Sequence, residues 1–134
     1  MFRTHKLQKS LRFLTLALFV IFSGPSAMAA SINNSTRLAL QSELRSYIST
    51  KTTSGAYTFF DEDNGSIQEL KIKAIHPVIF VKGDRFLMCA DFIDQKGKKV
   101  VIDYVMLPVK DGFIIEKELE GQRPKLMEIF EKLL

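Results

Sequence analysis

The chain of 134 residues contains one cysteine, Cys89, and no tryptophan. A single cysteine excludes an intrachain disulfide, so a folded domain here must be held by its core alone. Four prolines and seven glycines are too few for a collagen-like or low-complexity chain. Neither sign of charge dominates. Nineteen Lys and Arg stand against 15 Asp and Glu, and with 46% apolar residues this excludes a charged disordered chain. The longest apolar run, Phe13 to Phe22, falls short of the roughly 20 residues that cross a bilayer. There is no glycine-rich phosphate loop, no H-E-x-x-H, no G-x-S-x-G and no C-x-x-C. No nucleotide, zinc or serine chemistry is therefore announced by a motif.

What is present begins with an address. Arg3, Lys6, Lys9 and Arg12 form a basic start without an acid. The apolar run follows, then Gly24, Pro25 and the small residues Ser26 to Ala30. Ala27 and Ala29 fit an A-x-A cleavage site, so residues 1–29 read as a signal peptide and the product as exported, periplasmic or secreted. Its removal takes four of the 19 basic residues and no acid, leaving 15 of each sign. That balance argues against nucleic acid as a partner. With no second apolar stretch and no cysteine at the cleavage site, no stable membrane anchor is expected. Residues 30–134 read as one domain, long enough to bury roughly 60–70% of the surface of its unfolded chain.

From Asn34 to Ser49 the apolar residues Leu38, Leu40, Leu44, Tyr47 and Ile48 trace one helical face, with Asn33, Asn34 and Ser35 as candidate N-caps. After Gly55, β-branched and aromatic runs alternate with turn residues. This predicts strands over 56–60, 67–75, 78–82, 86–94, 100–109 and 113–119. Pro124 opens a last amphipathic segment expected to be helical to Leu134. The order predicts an α+β fold, with an N-terminal helix packed on a curved antiparallel meander of five to six strands and a short C-terminal helix.

The turns set the faces. Asp94-Gln95-Lys96-Gly97 suits a three-residue loop with a left-handed glycine. It pairs Phe92 with Val100, Ala90 with Ile102, Met88 with Tyr104 and Phe86 with Met106, an apolar row that defines the core face. Gly83-Asp84, as a two-residue loop, pairs Val81 with Phe86, Val78 with Cys89 and His76 with Asp91. Asp111-Gly112, read the same way, pairs Leu107 with Glu116 and Val105 with Glu118. His76, Cys89, Asp91, Asp103, Glu116 and Glu118 then share the second face with large aliphatic residues. Carboxylates beside a histidine can serve as acid and base. Polar residues on a half-exposed sheet are also commonly just solvated, but aliphatics among them call for a cover or a ligand.

Gly55-Ala56-Tyr57, Asp61, Ile75-His76, Cys89-Ala90-Asp91-Phe92, Asp103 and Gly121-Gln122-Arg123 resemble small exported bacterial proteins of cystatin-like or nuclear-transport-factor-like shape. The resemblance covers about Ser35 to Arg123 and implies a helix wrapped by a bent sheet, not an activity. The Q-x-V-x-G loop of inhibitory cystatins is absent.

The leading expectation is a non-enzymatic binding or interaction module that uses the acidic-apolar face for a small ligand or a protein partner. A second reading is a small hydrolase or isomerase working through Asp91, Asp103 and His76 between sheet and helix. A third makes the face a homodimer interface. No catalytic residue, cofactor or metal is assigned, because no ligand set or nucleophile stands at a known spacing.

Overall fold

The computed structural model describes residues 32–132. The expected signal segment, with Ala27 and Ala29, lies outside them. Helix α1 spans Asn34–Thr50. Asn33 caps it, its side-chain oxygen accepting the Thr36 amide at 2.7 Å, which satisfies one of the N–H groups that a helix start leaves free. Leu40, Leu44 and Ile48, one turn apart, are its buried residues. Ser54 and Gly55, both at positive φ (53° and 81°), turn the chain into the sheet.

The strands are β1 (Thr52–Thr53), β2 (Ala56–Asp61), β3 (Ser66–Ile75), β4 (Phe80–Lys82), β5 (Arg85–Ile93), β6 (Lys99–Val109) and β7 (Gly112–Glu120). Helix α2 (Arg123–Ile129) and β8 (Glu131–Lys132) follow. All pairings are antiparallel. The main path runs β1-β2-β3-β5-β6-β7, and β4, carrying β8 on its far side, takes over the edge of β5 that β3 leaves. The fold is α+β as the element order predicts, a curved open antiparallel sheet between an N-terminal and a short C-terminal helix.

The β5–β6 hairpin has the predicted register at all four pairs. Its loop explains why. Gly97 sits at φ 80°, Asp94 N–H donates to Lys98 O at 2.9 Å, and Asp94 Oδ1 accepts the Lys96 and Lys98 amides, each at 2.8 Å. The row Met88, Ala90, Phe92, Ile102, Tyr104 and Met106 is buried against Leu40, Leu44 and Ile48 of α1 in one cluster.

Two registers differ from expectation. Val81 does pair with Phe86, but Ile75 pairs with Ala90 and His76 N–H donates to Cys89 O at 2.9 Å. His76 is thus set against Cys89 rather than Asp91, and Val78 lies outside any strand. Pro77 cannot donate to a ladder; the chain leaves the sheet there and drops Ile79 fully into the core. At the last hairpin the loop is Lys110-Asp111, with Gly112 already paired to Val109 at φ 146°. Leu107 pairs with Ile114, and a bulge opposite Val105 and Met106 then brings Glu118 against Tyr104. A one-residue slip of this kind moves a side chain to the other face. Glu118 therefore lies on the α1 side of the sheet, and Glu116 sits in the bulge.

Helix α2 is shorter than expected. Phe130 is extended (φ −95°, ψ 139°), and Glu131–Lys132 pair with Val81 and Phe80, so an open strand edge takes the residues that would have made another helical turn. Leu126 and Phe130 pack on Leu87 and Val105, with Phe80 and Leu119 beside them. This second cluster covers part of the face opposite α1.

Candidate functional site

Helix α2 leaves one part of the second face uncovered. Where β3 gives way to β4, a pocket of about 530 Å3 opens between Val78, Phe80 and Val101, bordered by His76, Cys89, Asp91, Lys99 and Arg123. The departure of the chain at Pro77 creates the recess, and the β5–β6 hairpin supplies its floor.

Asp91 stands at one end. His76 Nε2 is 3.0 Å from its Oδ1 and Lys99 Nζ 2.7 Å from its Oδ2. His76 is one diagonal step from Asp91 across the strands, a distance that a long side chain spans. Burial by itself would raise the Asp91 pKa, but Lys99 and His76 outweigh it and hold the carboxyl below its ordinary range. It is a fixed anion.

Asp103, the neighbour of Cys89 on β6, lies behind the other end. Arg123 Nη2 is 2.7 Å from its Oδ1, an ion pair that supplies the counter-charge to an otherwise unpartnered oxygen. Burial pushes the Asp103 pKa up to about 6, with Arg123 working against the rise. Burial likewise pushes the Cys89 thiol up, again opposed by Arg123, so Cys89 stays a neutral thiol and a poor nucleophile. Arg123 also lies 5.9 Å from the centre of the Phe80 ring, within cation–π range.

Four of the six expected residues, His76, Cys89, Asp91 and Asp103, are gathered here. Glu116 and Glu118 are not. Glu116 pairs with Arg85 at 3.0 Å. Glu118 faces α1, where Lys51 Nζ reaches Oε2 at 2.5 Å and the Tyr57 hydroxyl donates to Oε1. The site gains two cations that the sequence reasoning did not select. Lys99 follows from the same hairpin register as Asp103, since both are odd-numbered on β6. Arg123 had no such signal, because the first residue of a helix has no assigned direction until the helix is docked.

The charges are layered by depth. Lys99 and Arg123 have side chains 59% and 33% exposed, whereas Asp91 and Asp103 are 13% and 1% exposed. A molecule arriving from solvent meets cations first, then apolar walls. Asp103 has a pKa suited to proton transfer near neutrality, but it is sealed behind Arg123 and does not itself line the pocket. Among the described residues no group of three or more His, Cys, Asp and Glu is placed to hold a metal ion, and no helix is long and apolar enough to cross a membrane. No family model, curated protein or solved structure matches the chain.

Proposed function

We propose that this protein is an exported binding module for a small anion with an apolar body, held in the pocket between His76 and Arg123. Export is read from the basic, apolar and small-residue pattern of residues 1–29. The observation that carries the ligand class is the depth order of charge: cations at the rim, carboxylates sunk beneath them, and Val78, Phe80 and Val101 between. A carboxylate or sulfonate head would exchange its water for Lys99 and Arg123, while its apolar body covers wall otherwise open to solvent.

Cys89 reports on occupancy because its thiol borders the pocket. Decanoate is expected to slow labelling of Cys89 by a thiol reagent, and decanol to slow it much less. Lys99→Glu is expected to remove most of that difference. Equal protection by acid and alcohol overturns the anion assignment; no protection by either overturns the pocket.

The His76–Asp91 contact favours one further reading, a small hydrolase or isomerase in which Asp91 orients the imidazole as a base. It requires Asp103 to become reachable or the Cys89 thiol, whose pKa is raised by burial, to be activated. Turnover that survives His76→Gln would remove it. A homodimer through this face is the remaining reading, and a mass on sizing that stays monomeric at every concentration excludes it.

A further inference from the structure

The two ends of the curved sheet come near each other without pairing. At one end is β2, whose outer edge is taken by β1 at Ala56 and Tyr57 and by Lys51 O, which accepts the Thr58 amide at 3.2 Å; at the other is β7, which among the described residues has β6 as its single strand neighbour. Side chains rather than main chain bridge the gap. Tyr57 donates to Glu118, and Gln68 Nε2 donates to Glu120 Oε2 at 3.0 Å. Two cavities, of about 380 and 300 Å3, lie along this seam, and both are lined by Phe60 and Glu62 on one side and by Lys117, Glu118 and Leu119 on the other. Neither shares a lining residue with the ligand pocket.

We propose that this seam receives an extended basic peptide as an added strand that closes the sheet between β7 and β2. A guest strand would lie about 4.8 Å from β7, the ordinary spacing of hydrogen-bonded strands. The nine-residue β7 presents a free edge of N–H and C=O groups, the feature that strand addition uses. Phe60 and Ile67 pair across β2 and β3. Phe60, 54% exposed and lining both cavities, offers the guest an apolar contact on the outer margin, while Ile67 lies one strand further from the seam.

Charge gives the sign of the guest. Asp61, Glu62, Asp63, Glu118 and Glu120 line the larger cavity against Lys117 and Lys125. Glu118 is met by Lys51, and Asp61 accepts the turn amides of Asp63 and Asn64. Glu62, Asp63 and Glu120 have no ion-pair partner among the described residues. A second copy of β7 is the poorer guest, because Glu116, Glu118 and Glu120 would be brought to an edge that is already acidic; charged edges of this kind discourage self-pairing.

The test uses the full chain and three labelled peptides: alternating Lys-Val, alternating Glu-Val, and Lys-Val with methyl groups on the backbone nitrogens of alternate residues. Fluorescence anisotropy at low salt is expected to show binding of the first alone. The methylated peptide should bind about tenfold more weakly or worse, since it keeps the charge and loses the ladder donors. Amide exchange should slow along β7 and at Phe60. The double variant Glu62→Lys/Glu120→Lys, checked for folding by circular dichroism, should lose at least about tenfold in Lys-Val affinity. Equal binding of the methylated peptide, binding of the acidic peptide, binding of none of the three, or protection elsewhere on the sheet would each overturn the proposal.

Discussion

Asp103 is the residue on which local energetics turn. It is 1% exposed, and its pKa is raised from 3.8 to about 6 by burial. A raised carboxyl pKa means that the folded protein takes up this proton before the unfolded chain does. The stabilisation is complete below about pH 4 and is lost as pH rises through about 6. Relative to Asp103→Asn, the wild type should therefore gain up to about 3 kcal/mol between pH 7 and pH 4. Urea unfolding of both proteins at the two pH values checks this, and the other carboxylates cancel in the difference. Arg123→Met leaves the buried carboxylate without its counter-charge. It should cost about 2–4 kcal/mol at pH 7 and less at pH 5, where Asp103 takes up its proton. A loss independent of pH would mean that Arg123 acts through its packing on Phe80 instead. The placement of Asp103 beside Cys89 on the second face was legible, because both are anchored to the Asp94–Gly97 loop a few residues away. Its partner was not, because Arg123 is twenty residues along and reaches it only once α2 has docked.

Each element reached its place by a different kind of information. Helix α1 follows from one apolar stripe and one cap; Asn33→Ala should cost about 1 kcal/mol, measured as a shift of the thermal midpoint. The β5–β6 hairpin follows from local turn chemistry. The β3–β4 segment did not follow, because Pro77 breaks the ladder and burial of Ile79 sets where the chain re-enters. The β6–β7 register also escaped, since Lys110-Asp111 and Asp111-Gly112 are both acceptable two-residue loops. A bulge then changes which side Glu118 faces and brings it to Tyr57 and Lys51. Helix α2 is held by Leu126 and Phe130, and removing one anchor should loosen it before the core yields. Phe130→Ala should lower stability by about 3 kcal/mol. It should also speed Cys89 labelling about tenfold or more, while the wild-type thiol, 6% exposed and with a raised pKa, reacts slowly. Unchanged labelling would show that α2 does not restrict access to that part of the sheet.

At the scale of the whole molecule, one sheet is covered twice, by α1 across the first face and by α2 across part of the second. What the covers leave free is a pocket with cations at its rim and a seam between strand edges. If the pocket selects anions through Lys99 and Arg123, affinity for decanoate should fall as salt is raised from about 0.01 to 0.15 M, because rim charges are screened over about a Debye length; an affinity indifferent to salt would assign the binding to the apolar walls. The sequence by itself determined the class of fold, the two helices, the hairpin register and the face shared by Cys89, Asp91 and Asp103, all of which rest on periodicity and on contacts between residues close in the chain. Only the tertiary structure decided that Arg123 and Lys99 complete the site and that Glu118 belongs to the other face. Those outcomes depend on where a docked helix points, where a proline lets the chain leave a sheet and where a bulge falls, and each is chosen by packing between segments far apart in sequence.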